Sequence, residues 1–250
     1  MTWSQIKWIA IISMTIDHMA TILIYHDIAL FDGVTLSMVM HFIGRMAFPI
    51  FAYGIAQGCV YTSNRKKYLG RLLVFAFISE IPYRLAFNYG VFFIGAYNVF
   101  FTLFAGAISC AILHVCRSKR LTGLSIIPIG LIVLIAEIMG TEYGAVGIIG
   151  IVFTYILLQN KKMALFALAF IMIFFYTIKD GFSGFSYPQF NWLLPGSSVV
   201  PYIRNAVGAV IGVLLLLFYN GDKGTSRSKW FFYGYYPIHL LVLYLGRVIA

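Results

Sequence analysis

Charge is what this sequence has least of. Charged residues make up 10% of the 250, whereas a water-soluble domain carries roughly 25% and needs them to cover its surface. A solvated globule is therefore excluded, and no separate soluble domain fits the length. Cysteine is scarce too. Cys59, Cys110 and Cys116 make an odd count with no pairing pattern, which excludes a disulfide framework. The first apolar run lacks a small-x-small cleavage site and contains Asp17-His18, so it is retained as a helix rather than a signal peptide. No motif recurs in two halves, which counts against an inverted-repeat transporter. No glycine-rich nucleotide loop follows a strand, and no serine or cysteine stands in a nucleophile motif.

Apolar residues are what is there: 61% of the chain is hydrophobic and 18% aromatic. Lipid is the solvent that makes such a composition stable. Nine apolar runs approach spanning length: 6–25, 34–60, 69–88, 98–116, 121–139, 143–159, 163–178, 200–219 and 230–249. The second is long enough to bend, and Pro49 offers a place for it. Segment 179–199, rich in Gly, Pro and Ser, reads as a loop. The expected fold is an all-α polytopic bundle of about nine spans in one domain, 1–250.

The net charge of +10 does not point to nucleic acid, because the basic residues sit in short clusters between apolar runs. Arg65, Lys66, Lys67 and Arg71 follow the second span; Arg117, Lys119 and Arg120 follow the fourth. Lys161 and Lys162 follow the sixth, and Lys223, Arg227 and Lys229 the eighth. The intervening loops hold chiefly Lys179 and Arg204. Every second loop is basic, so the positive-inside rule puts the amino terminus in the cytoplasm and the carboxyl terminus outside. A multi-pass protein of the cytoplasmic membrane is expected.

Against this background the ionisable residues inside spans need a reason, since each costs several kcal/mol, roughly, unless paired or hydrated. The first span carries Asp17 and His18. The second carries His41 and Arg45, four apart and so on one face. Glu80 and Arg84 repeat that spacing in the third, and His239 follows Pro237 in the ninth. By helical rise, Asp17, His18, Glu80 and His239 fall near the midplane. His41, Arg45, Arg84, Asn98, Glu137 and Glu142 fall in the outer half. One hydrated cavity open to the outside would account for them together. Glu80–Arg84 can equally be a self-neutralising intrahelical pair, and Arg45 a counter-ion for Asp17.

A histidine beside a carboxylate can act as a general base, and an arginine can hold an anion or a developing oxyanion. Metal ligation by His18, His41, His239 and Asp17 matches no strong spacing signature, so no metal is expected. A proton-coupled transporter with Asp17, Glu80 and His239 as a relay is a rival, and so is a non-catalytic assembly factor for surface structures.

Ile6-Lys7-Trp8-Ile9-Ala10, Met14-Thr15-Ile16-Asp17-His18 and Gly44-Arg45-Met46-Ala47-Phe48-Pro49 resemble the TraX family, the F-pilin amino-terminal acetylases. The likeness continues through Asn64-Arg65-Lys66-Lys67-Tyr68, Ser79-Glu80-Ile81-Pro82, Asn98-Val99-Phe100-Phe101-Thr102, Glu142-Tyr143-Gly144 and Tyr236-Pro237-Ile238-His239. The resemblance implies a membrane acetyltransferase that takes its acetyl group from acetyl-CoA. The phosphates of this donor would dock from the cytoplasm near Lys66, Lys67, Arg71 or Lys119. An amine or hydroxyl acceptor (a pilin-like peptide, glycan or lipid) would enter from outside. His18, or else His239, would remove its proton, with Asp17 orienting the imidazole, Arg45 holding charge and Glu80 in the same catalytic group. His41, Arg84, Asn98, Glu142, Tyr143 and Tyr236 are assigned to the acceptor pocket.

Overall fold

The computed structural model describes residues 1–24, 27–31, 34–87, 96–179, 200–225 and 229–249. Its elements, in chain order, begin with α1 (Trp3–Leu23), a short hairpin of β1 (Ala29–Phe31) and β2 (Val34–Thr35), α2 (Leu36–Gly44) and α3 (Ala47–Tyr61). Then come α4 (Arg65–Phe87), α5 (Val99–Ser118), a 3-10 turn (Thr122–Ser125), α6 (Ile126–Ile138) and α7 (Gly144–Leu157). The chain continues with α8 (Lys161–Phe174), a π-helical turn (Phe175–Lys179), α9 (Val200–Leu215) and α10 (Lys229–Ile249). The expected nine spans all fall on helices, the second divided between α2 and α3. Most of the expected loop lies outside the described residues (180–199), as does Arg227.

Among the described residues, three helices are long and apolar enough to cross a membrane: Trp3–Leu23, the Leu36–Tyr61 stretch and Val99–Ser118. Shorter apolar helices cover Thr122–Ile138, Gly144–Leu157 and Ile203–Phe218. Large apolar side chains stand exposed along whole faces, among them Ile126, Ile127, Leu131, Leu134 and Ile138 of α6 and Phe166 and Phe170 of α8. Faces of this kind are stable against acyl chains and costly against water.

The second span does not break at Pro49 itself. Helical structure stops at Gly44 and resumes at Ala47. Proline lacks the N–H that would bond the carbonyl four residues back, and its ring crowds that carbonyl, which belongs to Arg45. The break falls there, and Pro49 sits in the first turn of α3, where a missing N–H costs nothing. Pro82 and Pro237 lie inside uninterrupted helices.

The chain groups into two compact units. Unit one comprises residues 1–51 and 165–225, and unit two residues 52–164 and 226–250. In unit one, α1 packs on α2, and α9 packs on α2 and on the π turn. Close approach is allowed by glycine: a Cβ at Gly208 would strike the Phe42 carbonyl oxygen, and one at Gly212 would lie 2.5 Å from that of Met46. The start of α1 is tied to the segment after α9. The Met1 amine donates to the Phe218 carbonyl (2.7 Å) and the Trp3 N–H to that of Asp222 (2.8 Å). These two segments share one end of unit one.

In unit two, α4 packs on α5 and α10, and α5 on α6 and α7. The backbone at Tyr97 pairs with Thr141. Arg247 of α10 donates to the carbonyls of Ala86 (3.0 Å) and Leu85 (3.2 Å) at the end of α4.

The connection into α2 is set by Asp27. Its carboxylate accepts from Thr35 Oγ1 (2.5 Å), the Ser37 N–H (3.0 Å) and the Ser37 hydroxyl. These donors hold the carboxyl down to about 2. A depressed carboxyl contributes stability above its ordinary range near ~4, and the contribution is lost as pH falls through the folded value. The hairpin-to-α2 junction is thus expected to loosen between about pH 4 and pH 2. A carboxyl carbon NMR titration of Asp27 checks this; a midpoint near the ordinary value would mean the cap does not form.

Candidate functional site

In unit one the ionisable residues converge on one carboxylate. Thr2 and Gln5 form a capping box that fixes the start of α1, and the helix carries Asp17 to the face that meets α2. Contact is close because position 44 is glycine: a Cβ there would fall on the Asp17 side chain. His41 and Arg45, one turn apart, flank that glycine on the approaching helix. Asp17 Oδ1 accepts from His41 Nδ1 at 2.9 Å and from Arg45 Nη2 at 3.2 Å. An ionised carboxylate only accepts, so His41 carries a hydrogen on Nδ1, the tautomer that leaves the Nε2 lone pair open whenever the ring is neutral. The Arg45 guanidinium also lies over the Tyr176 ring, 5.7 Å from its centre.

This group is buried enough to be ordered yet still reachable. The side chains of His41 and Asp17 keep 27% and 19% of their accessible surface. His18, by contrast, is buried within α1. A hydrogen bond to Asp17 orients the imidazole of His41, one helix away, while the neighbouring His18 is near enough for its charge to act on Asp17. Adjacent helical residues point about 100° apart, which keeps Asp17 and His18 on different faces.

Glu80 and its partners form the second cluster, wholly within unit two. Glu80 Oε1 accepts from Arg84 Nε at 2.6 Å. Glu80 Oε2 accepts from Asn98 Nδ2 at 2.7 Å and from the Asn98 N–H at 3.3 Å. Asn98 also donates to the Ala76 carbonyl (2.8 Å), and its Oδ1 caps α5 by accepting from the Phe100 N–H (3.0 Å). Arg84 lies over the Tyr97 ring at 5.3 Å. Both oxygens of Glu80 are thus engaged, Oε1 within α4 and Oε2 in fastening α4 to the start of α5.

The other expected residues fall as follows. His239 in α10 is buried and lies 3.0 Å through Nδ1 from the Tyr235 carbonyl. A carbonyl only accepts, so the hydrogen is on Nδ1 here also. Its ring stacks on Tyr235 (5.1 Å) and meets Tyr236 at a steep angle (5.5 Å). Glu142 accepts through its backbone carbonyl from the Thr102 hydroxyl. Tyr143 opens α7 with φ +64°, a left-handed conformation that side chains other than glycine adopt at a cost. Lys66, Lys67 and Lys119 are exposed at helix ends, and Arg71 lies over the rings of Tyr68 and Tyr233, 5.9 Å from each.

Sequence reasoning missed three roles. Asn98 just before an apolar run is a helix-start signal, which marks it as a cap. Glu137 accepts from the Ala145 N–H at 2.9 Å at the start of α7. Arg204 was counted with the loops yet sits inside α9.

Apolar faces without water-compatible charge, helices of spanning length and ion pairs inside them define a helical membrane protein. The chain belongs to the TraX family: the model of that family, described as TraX protein, matches residues 2–247. It is also similar to a protein of Dichelobacter nodosus named "Probable fimbrial assembly protein FimC, serogroup H1". The two are 28% identical over 250 residues, covering 96% of this chain and 93% of that relative. No solved structure matches.

The fastening role of Asn98 is measurable. Asn98→Ala removes the α5 cap and the side-chain donor to Glu80 Oε2, leaving only the longer backbone N–H contact, so a stability loss of about 1–3 kcal/mol is expected. Reversible unfolding in mixed micelles reads it; an unchanged midpoint would contradict the role.

Proposed function

We propose that the protein is a membrane acyltransferase, moving an acetyl group from cytoplasmic acetyl-CoA to an amine or hydroxyl of an extracytoplasmic acceptor. The observation that carries this is the Asp17–His41 hydrogen bond with Arg45 on the same carboxylate oxygen. Membership of the TraX family and likeness to a protein named for fimbrial assembly support a pilin-like acceptor. The resemblance supplies the acyl donor, whose thioester provides the activated acetyl group. Lys66, Lys67 and Lys119 have the charge and exposure to meet its phosphates.

His41 Nε2 takes the proton from the acceptor amine or hydroxyl as its nitrogen or oxygen attacks the thioester carbonyl. Asp17 keeps the imidazole in the tautomer that leaves Nε2 basic, and it stabilises the imidazolium that forms. Arg45 lies one turn from His41 and can hold negative charge as it develops on the carbonyl oxygen. When the carbon–sulfur bond breaks, the imidazolium returns its proton to the departing thiolate. His18, named first by sequence, supports the α1 interior in this scheme, and Glu80 with Arg84 and Asn98 serves the fold.

A proton relay through Asp17, Glu80 and His239 has less to stand on. Both Glu80 oxygens are held by Arg84 and Asn98.

The test is CoA release by purified protein given acetyl-CoA and candidate acceptors. His41→Ala is expected to lower turnover by roughly 10²–10⁴-fold, whereas His18→Ala, if it folds, retains most of it. Full turnover in His41→Ala would overturn the assignment. Uptake in liposomes driven by a pH gradient, with no CoA released, would favour a transporter instead.

A further inference from the structure

Among the described residues, the site in unit one brings two guanidinium groups, Arg45 and Arg204, near one carboxylate, Asp17. Asp17 already accepts from both His41 and Arg45. Arg204 adds a second guanidinium near Arg45. It lies in α9 one turn before Gly208, and those two positions share a helix face. A Cβ at Gly208 would sit 3.1 Å from Arg45 Cβ and against the Phe42 carbonyl, so that face is pressed on α2 at Arg45. Arg45 and Arg204 are near enough for their charges to act on each other.

No carboxylate pairs with Arg204 among the described residues. Its Nε is buried and has no hydrogen-bond acceptor, and the next residue, Asn205, has a buried amide oxygen with no donor. Uncompensated charge is expensive in a helix bundle of this kind. Planar guanidinium groups match the oxygens of a carboxylate or phosphate better than any other side chain does.

We infer that Arg204 and Arg45 form a binding site for an oxyanion, a carboxylate or phosphate, next to His41. Resting on the acyl-transfer proposal, this makes the acceptor an anionic molecule. Its acid group is held between α2 and α9 while its amine or hydroxyl is presented to His41 Nε2. A ligand with an N–H or O–H near its oxyanion would also answer the Asn205 oxygen. A free phosphorylated or carboxylated acceptor and an anionic lipid headgroup offer the same chemistry.

The full-length protein in detergent is titrated with inorganic phosphate against chloride at equal ionic strength, and thermal unfolding is followed. A parallel arm uses nanodiscs of phosphatidylglycerol or of phosphatidylcholine. Wild type is expected to show a saturable rise in Tm, with soluble phosphate or with phosphatidylglycerol. Arg204→Gln should weaken the apparent affinity by roughly tenfold or more, with Tm in chloride reporting that it folds, and Arg204→Lys should restore part of it. A response to phosphatidylglycerol alone assigns the site to a lipid headgroup; a response to phosphate assigns it to a soluble acceptor. No saturable shift in wild type in either arm, or an equal shift in Arg204→Gln, overturns the inference.

CoA release by the same variants separates the two proposals. Turnover without an anion effect sinks the anion site alone. Anion binding without CoA release in any acceptor mixture sinks the acyl-transfer proposal alone.

Discussion

Asp17 is the charge on which the rest of unit one depends. Within a helix of spanning length it is the acid that bonds both His41 and Arg45. Removing it would leave a guanidinium and an imidazole without their anion in a low-dielectric setting, which is the costly way to break a buried pair. The surrounding sequence secures its geometry. Gly44 brings α2 against the Asp17 side chain. The break at Arg45–Met46, forced by Pro49, ends α2 with His41 in its last turn and Arg45 as its C-cap. At the other end Thr35 and Asp27 cap α2 and fix the rotation that aims His41.

The two ionic clusters illustrate opposite uses of the same chemistry. Around Glu80 each carboxylate oxygen meets a donor from Arg84 or Asn98, and Asn98 also bonds the Ala76 carbonyl and caps α5. Charge there is spent on holding helices together. Around Asp17 one carboxylate oxygen meets both a guanidinium and an imidazole, and the histidine keeps partial exposure. Reactivity belongs where charge is ordered but not fully satisfied within the protein.

Much of this was legible in the sequence. Composition and run length give the helices, because lipid leaves few other arrangements for so apolar a chain. The Glu80–Arg84 pair follows from four-residue spacing, an intrahelical contact that sequence can see. The break near Pro49 was legible to within a few residues. The Asp17–His41 bond was not, because it joins positions 24 apart on different helices. Adjacency favoured His18, although neighbouring residues on a helix face different ways. Arg204 looked like a loop charge because its importance comes from the two glycines after it, which seat α9 on α2. The left-handed Tyr143 left no trace in composition, being an outcome of the turn between α6 and α7.

The most direct measurement is of the proton on His41. Nitrogen-15 NMR of ring-labelled histidine in the reconstituted protein, assigned by His41→Gln, reports which ring nitrogen bears it. The account predicts a neutral ring protonated on Nδ1 and unprotonated on Nε2, with that preference lost in Asp17→Asn. A ring protonated on Nε2 alone, or one indifferent to Asp17→Asn, would contradict it.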